Sequence, residues 1–386
     1  MRIALLHPTY WPEVRRGSER LIHDLGQALA YRGHDVTLIT SSPGPTRERV
    51  EDEMRVVRLR RPPQLPGLHF YEDHVANIPN LILRLMRGGF DLAHAFFPTD
   101  AWAALQARRL GGPQYVFSFH GIVNRTHLVR RRYRLEMFSQ ACAGAAATSV
   151  LSEAAARPFR RYLLSEPLIL PGGVNTTAYR LGPSRARVPT LLCPATLEDP
   201  RKRGTLLLRA FTTLREHRPD TRLLLAGGRD PFARPDLASS SPDLTRGSAQ
   251  LPAGVASEEV SDPGGVIDLY HRAWVTVLPS IDEAFGLVLL ESLAAGTPVV
   301  AARSGACPEI VDSDAVGRLF EPDDESGLVA ALTEALELSE RPETAAACRA
   351  RASTYDWSRI VEAYEEVYEA VLRTDERGDT PARSQA

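Results

Sequence analysis

The sequence contains almost no lysine, because arginine supplies 45 of its 46 basic residues and Lys202 is the single exception. Its four cysteines are far apart and form no C-x-x-C pair, which argues against a zinc site or a disulfide framework and suits a reducing cytoplasm. No run of about 18 apolar residues occurs, so no transmembrane helix is expected. The apolar run at residues 2–7 is too short for a secretory signal and is typical of a buried strand. We therefore expect a cytoplasmic globular protein.

The length of 386 residues is too great for one ordinary hydrophobic core and favours two domains. Short apolar runs alternate with helical periodicities, the pattern of parallel sheets wrapped by helices. The segment 171–189 is rich in proline, glycine and polar residues, which indicates a linker between the two domains. The stretch 230–265 has little periodicity and is interpreted as a long surface loop. The sequence thus predicts an α/β protein with two similar halves.

The net charge of −2 is unevenly distributed. Residues 1–180 contain 24 arginines against 15 acidic residues, a net of +9, whereas the remainder has a net of −11. Four of these arginines, Arg130, Arg131, Arg132 and Arg134, are clustered in a predicted helix over 130–143. The cluster is either a solvated cationic face or a surface attracted to an acidic acceptor or to anionic lipid headgroups, which would make membrane binding peripheral. We expect no nucleic-acid partner.

Two carboxylates, Glu283 and Glu291, stand eight residues apart after a predicted strand. The spacing predicts a helix with the first carboxylate at its start and the second two turns inside, about 12 Å apart along the axis and on nearly one face. That span suits the two ends of an extended ligand and exceeds the carboxylate separation of glycosidases, about 5–9.5 Å. The backbone N–H groups of Phe285, Gly286 and Leu287 would face a phosphate at this helix N-terminus. Alternatively, Glu283 only complements the helix dipole and Glu291 is solvated.

A second polar segment, DPRKRG over 199–204, follows the strand predicted at 190–194 and opens a helix. The cations Arg201, Lys202 and Arg203 at a helix N-terminus are typical of a diphosphate site, which combines point charges with backbone donors. A compact ammonium such as that of the single lysine suits a pyrophosphate leaving group. Alternatively, the position of the single lysine at this helix start is a coincidence without functional meaning, because one lysine must occur somewhere in the sequence.

The stretch LPSIDEAFGLVLLESLAAGTPVVAARSGACPEIV, residues 278–311, resembles the donor-binding signature of the retaining glycosyltransferases of family 4. Its E-x7-E pair, AxGTPVVA turn and G-x-x-PEIV segment occur together and in order. The segment 199–204 is similar to the phosphate element of the family, most closely to that of phosphatidylinositol mannosyltransferase-like members. The resemblance implies that Glu283 contacts the donor sugar, that Glu291 contacts the nucleotide ribose, and that Lys202 is the catalytic lysine.

The amino-terminal half carries weaker resemblances. The loop 7–20 is similar to the G-G-x-E-R loop of the family, with Gly17 in place to let the backbone approach the donor phosphate. His120 follows a predicted strand in the position of the T-x-H-G element, where the resemblance implies a histidine near the reacting sugar carbon. Thr196 departs from the family, which usually has arginine six positions before the lysine, and we expect Arg201 or Arg203 to supply that charge.

The resemblance implies a GT-B fold, in which two Rossmann-like domains face each other across a cleft. The boundaries that we predict are an acceptor domain over 1–180, a nucleotide-sugar donor domain over 190–355, a terminal helix over 356–372 packing back on the first domain, and a disordered tail over 373–386.

The implied activity is retaining transfer of a hexosyl unit from a UDP- or GDP-linked sugar to a hydroxyl of a glycolipid, a glycan or a small glycoside. No cofactor beyond this substrate and no metal are expected, since the sequence has no Asp-x-Asp element of the kind that would hold one. Two alternatives stay open: a GT-B sugar-nucleotide epimerase, and a protein that binds a nucleotide sugar without turning it over. A dinucleotide-dependent enzyme is disfavoured because no G-x-G-x-x-G follows the first strand. The sequence does not indicate the sugar, the base, the acceptor, the linkage or the oligomeric state.

Overall fold

The structure is a computed structural model that describes residues 1–11, 13–14, 16–62, 74–130, 132–180, 185–195, 199–226, 251–258, 260 and 263–376. Thr196, Arg131 and most of the predicted loop over 230–265 lie outside these described residues. The chain separates into two compact units, the first comprising Met1–Gly173 and the terminal helix, the second comprising Val174–Asp356.

The first unit is an eight-stranded sheet with helices packed against it. Its strands are β1 (Arg2–Leu6), β2 (Asp35–Ser42), β3 (Arg47–Glu51), β4 (Met54–Arg60), β5 (Leu92–Ala95), β6 (Gln114–Phe119), β7 (Ala147–Val150) and β8 (Leu168–Ile169). Its helices before the linker are α1 (Gly17–Tyr31), α2 (Ile78–Arg87), α3 (Pro98–Arg109), α4 (Arg125–Val129), α5 (Arg132–Gly144) and α6 (Glu153–Leu163). The strand order is β3-β4-β2-β1-β5-β6-β7-β8, and all pairs are parallel except β3 with β4.

The central strands of this sheet are apolar on both faces. In β1 the residues Ile3, Ala4, Leu5 and Leu6 are all fully buried, as expected for a parallel strand that has helices on both sides. α1 begins at Gly17 with Arg16 as an N-cap that makes no side-chain cap hydrogen bond. Because successive βα connections return to the same edge, the carboxyl ends of β1, β5 and β6 carry their following loops at one side of the sheet.

The terminal helix, numbered α13 below, spans Trp357–Glu376 and contacts α1 and β6 of the first unit. The Glu365 carboxylate lies 2.8 Å from the His34 ring, and the Tyr368 hydroxyl lies 2.6 Å from Nδ1 of His94. The prediction that the polar tail starts at residue 373 is wrong over its first four residues, because the helix continues to Glu376. Residues 377–386 lie outside the described part of the chain.

The second unit is a six-stranded sheet in which every pair is parallel. Its strands are β9 (Thr190–Cys193), β10 (Arg222–Leu225), β11 (Val255–Ser257), β12 (Val275–Leu278), β13 (Val299–Ala302) and β14 (Gly317–Phe320). Its helices are α7 (Gly204–His217), α8 (Pro263–Arg272), α9 (Leu287–Ala294), α10 (Cys307–Ile310), α11 (Glu325–Ser339) and α12 (Thr344–Ser353). The order β11-β10-β9-β12-β13-β14 is that of a doubly wound sheet, so the prediction of two Rossmann-like halves is confirmed.

The elements that the sequence did not predict are short. They are β3, α4, β11, α10 and β14, none longer than five residues. β11 and the first residues of α8 fall within the stretch 230–265, so the interpretation of that stretch as one loop is wrong there. Periodicity cannot identify such pieces, because three to five residues contain too few repeats of either period.

Candidate active site

In the second unit, the side chains of Lys202 and Glu283 form an ion pair. Nζ of Lys202 lies 2.5 Å from Oε1 of Glu283, and the two side chains are 22% and 19% exposed. The contact joins residues 81 positions apart, from the loops that follow the neighbouring strands β9 and β12. The two side chains that the sequence analysis assigned to the phosphate and to the sugar are therefore in direct contact.

The two arginines beside Lys202 have other partners. After β9, residues Pro200–Lys202 form a 3₁₀ turn that Asp199 caps by accepting a hydrogen bond from the Arg201 N–H. The Arg201 guanidinium also pairs with Asp199 at 2.6 Å, and that of Arg203 pairs with Asp323 at 2.8 Å. Arg201 and Arg203 consequently surround the lysine with paired charges, whereas the lysine itself contacts the proposed sugar-binding carboxylate.

The backbone of Glu283 is held from two sides. Its carbonyl accepts a hydrogen bond from the Ala306 N–H at 2.8 Å, and the preceding Ile281 N–H donates to the Arg201 carbonyl at 2.9 Å. Gly305 packs so closely that a Cβ there would lie 2.3 Å from the Glu283 carbonyl oxygen. The loop that carries Glu283 is therefore fixed to both the lysine turn and the segment before α10.

The predicted placement of Glu283 at the start of the helix is wrong, whereas Glu291 lies on the helix as predicted. α9 begins at Leu287, and its N-cap Gly286 has a φ of +98°, so Glu283 lies in the preceding loop rather than on the helix. Glycine suits this conformation because it has no Cβ. Within the described residues, the N–H groups of Phe285, Gly286 and Leu287 have no protein acceptor. These donors at a helix N-terminus are the groups to which the sequence assigns a phosphate, and that assignment stays a prediction.

Glu291 is more enclosed than a solvated surface carboxylate would be. It is only 2% exposed, and its Oε2 accepts a hydrogen bond from the Tyr270 hydroxyl at 2.7 Å. Tyr270 comes from α8 and was not identified in the sequence, where its apolar neighbours indicate only a core position. The hydroxyl orients one oxygen of the carboxylate to which the ribose contact is assigned.

In the first unit, His120 follows β6 and stands beside the ring of Phe96, with centroids 4.9 Å apart. Both of its ring nitrogens are buried without a hydrogen-bond partner among the described residues. Burial, followed by the proximity of His7, lowers the pKa of His120 to about 3. The imidazole is therefore neutral at physiological pH, and it can donate or accept a hydrogen bond without carrying charge.

The first turn of α1 contains another buried polar group. Glu19 is fully buried and accepts hydrogen bonds from the Thr9 hydroxyl and the Arg16 guanidinium, both at 3.0 Å. A Cβ on Gly17 would meet no protein atom within 4 Å, so no packing within the described protein requires glycine there. The space above Gly17 is what a ligand approaching the backbone would need.

The structure adds Asp100 as a polar residue that sequence analysis missed. It lies in the first turn of α3, is 5% exposed, and has a buried Oδ2 without a partner among the described residues. Burial raises the pKa of Asp100 to about 8. In the sequence it resembles any aspartate that complements a helix dipole, and only its burial distinguishes it.

The predicted arginine cluster is only partly a surface feature. Arg130 and Arg132 are exposed, but Arg134 is buried at 7% exposure.

The described residues contain no group of three or more His, Cys, Asp or Glu side chains that could hold a metal ion. None of the helices in the described ranges combines the length and the hydropathy needed to span a bilayer.

Two family models match the chain, Glycosyltransferase Family 4 over residues 15–178 and Glycosyl transferases group 1 over residues 187–354. The phosphatidyl-myo-inositol mannosyltransferase of Mycobacterium leprae is 28% identical over 96% of this chain and 97% of its own length. A glycogen synthase of Mycobacterium tuberculosis is 27% identical over 97% of this chain and 95% of its own length.

Solved structures resemble the whole chain at low identity. Sucrose-phosphate synthase from Thermosynechococcus elongatus has a TM-score of 0.77 and 22% identity, covering 97% of this chain and 99% of its own. Anabaena HepE in complex with UDP-glucose has a TM-score of 0.76 and 18% identity, covering 96% of this chain and 100% of its own. These likenesses confirm the GT-B fold class. With one model matching each half and relatives aligned over nearly the full length, the chain belongs to the family 4 glycosyltransferases, which use nucleotide sugars as donors.

Proposed function

We propose that this protein is a retaining hexosyltransferase that moves a sugar from a nucleotide diphosphate to an acceptor hydroxyl. The observation that carries the proposal is the direct contact between Lys202 and Glu283 next to the unpartnered N–H groups at the start of α9. A cation and helix-terminal donors suit the diphosphate, and the adjacent carboxylate suits sugar hydroxyls.

In the proposed reaction the bond between the anomeric carbon and the diphosphate oxygen breaks, and the acceptor oxygen bonds to the same face of that carbon. The acceptor proton passes to the leaving diphosphate, so charge and atoms balance. Lys202 and the N–H groups of residues 285–287 stabilise the negative charge that develops on the leaving group. Glu283 holds the sugar in position, and such positioning is the main task of an enzyme without a covalent step.

The remaining candidate residues receive supporting roles. Glu291 binds the ribose, Arg201 and Arg203 supply positive potential around the diphosphate, and Gly17 leaves room for a phosphate near α1. His120 contacts the transferred sugar as a neutral hydrogen-bonding group, consistent with its lowered pKa. We propose a uridine or guanosine diphosphate donor and no metal or other cofactor. We further propose a cytoplasmic enzyme with an anionic or lipid-linked acceptor.

Stereochemistry tests the proposal. Donors are first selected from a panel of UDP- and GDP-sugars by thermal shift, where a ligand at 100 times its Kd stabilises by about 2.7 kcal/mol. The selected α-linked donor is then incubated with inositol phosphates, phosphatidylinositol and oligosaccharides, and the product is examined by proton NMR. An α-linked product is expected, and a β-linked product would overturn retention.

The variant Lys202→Ala tests the role proposed for the lysine. It should lower turnover by about 10²–10³-fold while donor affinity changes much less, because the charge matters most when the leaving group develops its own. Conversion of the donor without any acceptor would favour the epimerase, and binding without any turnover would favour the non-catalytic alternative.

A further inference from the structure

A connected set of buried hydrogen bonds in the first unit has no part in the reaction proposed above. The hydroxyl of Tyr368 on α13 lies 2.6 Å from Nδ1 of His94 on β5, and Nε2 of that ring lies 2.6 Å from Oγ of Ser118 on β6. Ser118 is in turn hydrogen-bonded to Ser149 on β7. None of these four residues, which we call the His94 network, is more than 2% exposed. The network therefore joins the terminal helix to three neighbouring strands of the sheet.

His94 is the centre of this network and is uncharged. Burial, followed by the proximity of His120, lowers the pKa of His94 well below its ordinary value. A neutral imidazole has a single ring proton, so one of its nitrogens donates a hydrogen bond and the other accepts one. The partners of the ring decide which nitrogen has the proton. The direction of every hydrogen bond in the network therefore depends on the tautomer of His94.

Tyr368 decides that tautomer. Within the described residues, the hydrogen bond of its hydroxyl is the one to His94. A fully buried phenol whose proton has no acceptor loses a hydrogen bond that it makes in water. Tyr368 therefore donates to Nδ1, Nε2 keeps the ring proton and donates to Ser118, and Ser118 donates to Ser149. The opposite direction would leave the phenol proton unpaired in place of a serine hydroxyl proton, and the phenol is the more acidic donor of the two.

The network lies next to His120, the histidine to which the sequence assigns a place near the reacting sugar. Ser118 precedes His120 by two positions, the spacing of side chains on one face of a strand. The ring of Phe96 lies between the two histidines, with its centroid 4.1 Å from that of His94 and 4.9 Å from that of His120. Both ring nitrogens of His120 lack a hydrogen-bond partner among the described residues. Packing, rather than hydrogen bonding within the described protein, therefore sets the orientation of the His120 ring.

We propose that Tyr368 is a positioning residue for His120 and acts through His94. By donating to Nδ1 it keeps the ring proton on Nε2, and this proton holds Ser118. The same hydrogen bond holds the ring of His94 against Phe96, on which His120 packs. Without the phenol hydroxyl, His94 can adopt either tautomer, and the ring of His120 loses its fixed support. The effect of this positioning on turnover rests on the proposed transferase function, whereas the effect on the two histidine rings does not.

Long-range proton–nitrogen correlation NMR on the full chain with labelled histidines tests the positioning without a substrate. In the wild type we expect the ring proton of His94 on Nε2. Tyr368→Phe should give a mixture of both tautomers at His94 and should shift the ring signals of His120. Tyr364→Phe is the matched control, because it removes a buried hydroxyl of the same helix that donates to the Leu170 carbonyl at 3.3 Å instead. It should leave the signals of both rings unchanged.

Turnover of the selected nucleotide sugar supplies a second readout. Tyr368→Phe and Ser118→Ala interrupt the network on the two sides of His94, so each should lower kcat about two- to tenfold, the effect of one neutral hydrogen bond. The KM of the donor should not change. Because both residues act through one ring, the double variant should lose no more than the more affected single variant. Tyr364→Phe should keep the kcat of the wild type, and thermal melting verifies that each variant is folded.

Three results would overturn the proposal: the ring proton of His94 is on Nδ1 in the wild type, the His120 signals are the same in the two tyrosine variants, or the kcat losses of the two network variants multiply. If Tyr368→Phe does not fold, Ser118→Ala decides by the same two measurements. Absence of turnover in the wild type would count against the transferase function, whereas the NMR comparison would still decide whether Tyr368 positions His120.

Discussion

At the residue scale, Lys202 and Glu283 neutralise each other through a contact of 2.5 Å before any donor is bound. A diphosphate that approaches Lys202 must compete with that carboxylate, and a sugar that approaches Glu283 must compete with the ammonium. A complete donor satisfies both groups at once. With the roles proposed for these two residues, we expect the pair to discriminate between a nucleoside diphosphate and the same diphosphate carrying a sugar.

Glu283→Gln should have opposite effects on these two ligands. Removing the negative charge frees Lys202, so we expect the nucleoside diphosphate alone to bind several-fold more tightly. The intact nucleotide sugar should bind less tightly, because it loses a charge-assisted hydrogen bond. Calorimetry with both ligands measures the ratio of the two dissociation constants, that of the nucleoside diphosphate to that of the nucleotide sugar. Asp282→Asn, which removes the neighbouring exposed carboxylate at a positive φ that asparagine tolerates, is the matched control. A ratio equal to that of the control would contradict the competition.

Asp100 gives a pH-dependent prediction. Its pKa is raised by burial from 3.8 to about 8, so the folded protein binds more protons than the unfolded chain between these values. The free energy of unfolding consequently decreases as pH rises from about 4 to 8. Asp100→Asn removes this contribution, and we expect the variant to gain stability relative to the wild type across that range, by roughly 1–3 kcal/mol at pH 8.

Thermal melting of both proteins from pH 5 to 8.5 measures the difference, and groups common to both, such as His120, cancel. Asp35→Asn, at an exposed position of the same unit, is the matched control. If the difference between the Asp100 variant and the wild type is independent of pH, the carboxyl is charged in the folded protein.

At the element scale, the segment between β13 and α10 supports the loop between β12 and α9. Gly305 has a φ of +56°, and a Cβ there would lie 2.3 Å from the carbonyl oxygen and 2.6 Å from the nitrogen of Glu283. Both atoms belong to the backbone, which cannot move aside as the end of a flexible side chain can. Gly305→Ala should therefore displace Glu283 as well as strain its own backbone.

We expect Gly305→Ala to lower turnover by at least tenfold and to reduce stability by about 1–3 kcal/mol. Gly33→Ala is the control, because Gly33 has a φ of +86° with no atom within 4 Å of the added Cβ. The Gly33→Ala variant has the strained backbone conformation but no collision of the added Cβ, so we expect it to lose stability and to keep its activity. Equal activity in the two variants would mean that the loop does not need Gly305.

The hydroxyl of Tyr270 links α8 to α9 through Glu291, and Tyr270→Phe should weaken recognition of ribose specifically. Wild-type protein should prefer the nucleoside diphosphate to its 2′,3′-dideoxy analogue, and this preference should fall about two- to tenfold in the variant, since one neutral donor to the carboxylate is lost. Tyr364→Phe, a buried tyrosine of the first unit whose hydroxyl donates to the Leu170 carbonyl, controls for the loss of a buried hydroxyl. A uniform loss of affinity for both nucleotides would indicate a purely structural role.

At the scale of the whole molecule, the two halves of the chain carry opposite net charges, +9 in residues 1–180 and −11 in the remainder. The burial of Arg134 reduces the basic cluster, but Arg130 and Arg132 remain exposed. Each basic residue at an anionic bilayer contributes about 1 kcal/mol, an attraction that salt screens.

We expect salt-sensitive sedimentation of the protein with anionic vesicles and none with neutral vesicles. The double variant Arg130→Gln/Arg132→Gln should reduce it about tenfold or more. Arg157→Gln/Arg161→Gln, which removes two exposed arginines of α6, should change it less. Equal and negligible pelleting with both vesicle types would leave a soluble acceptor as the better proposal.

The sequence by itself determined the two α/β halves, the long helices and the candidate residues Lys202, Glu283 and Glu291. Apolar periodicity and motif spacing are local properties of the sequence, which is why the helix predicted over 130–143 is found at Arg132–Gly144. Short pieces such as β11 and α10 were missed for the same reason, since three or four residues carry no period.

Only the tertiary structure decided how these residues act together. A left-handed Gly286 moved the helix start past Glu283, and the approach of two parallel strand ends brought Glu283 to a lysine 81 positions away. Burial then raised the pKa of Asp100 and lowered that of His120. Contact and desolvation depend on what the rest of the chain places around a side chain, and for that reason no local pattern in the sequence could have shown them.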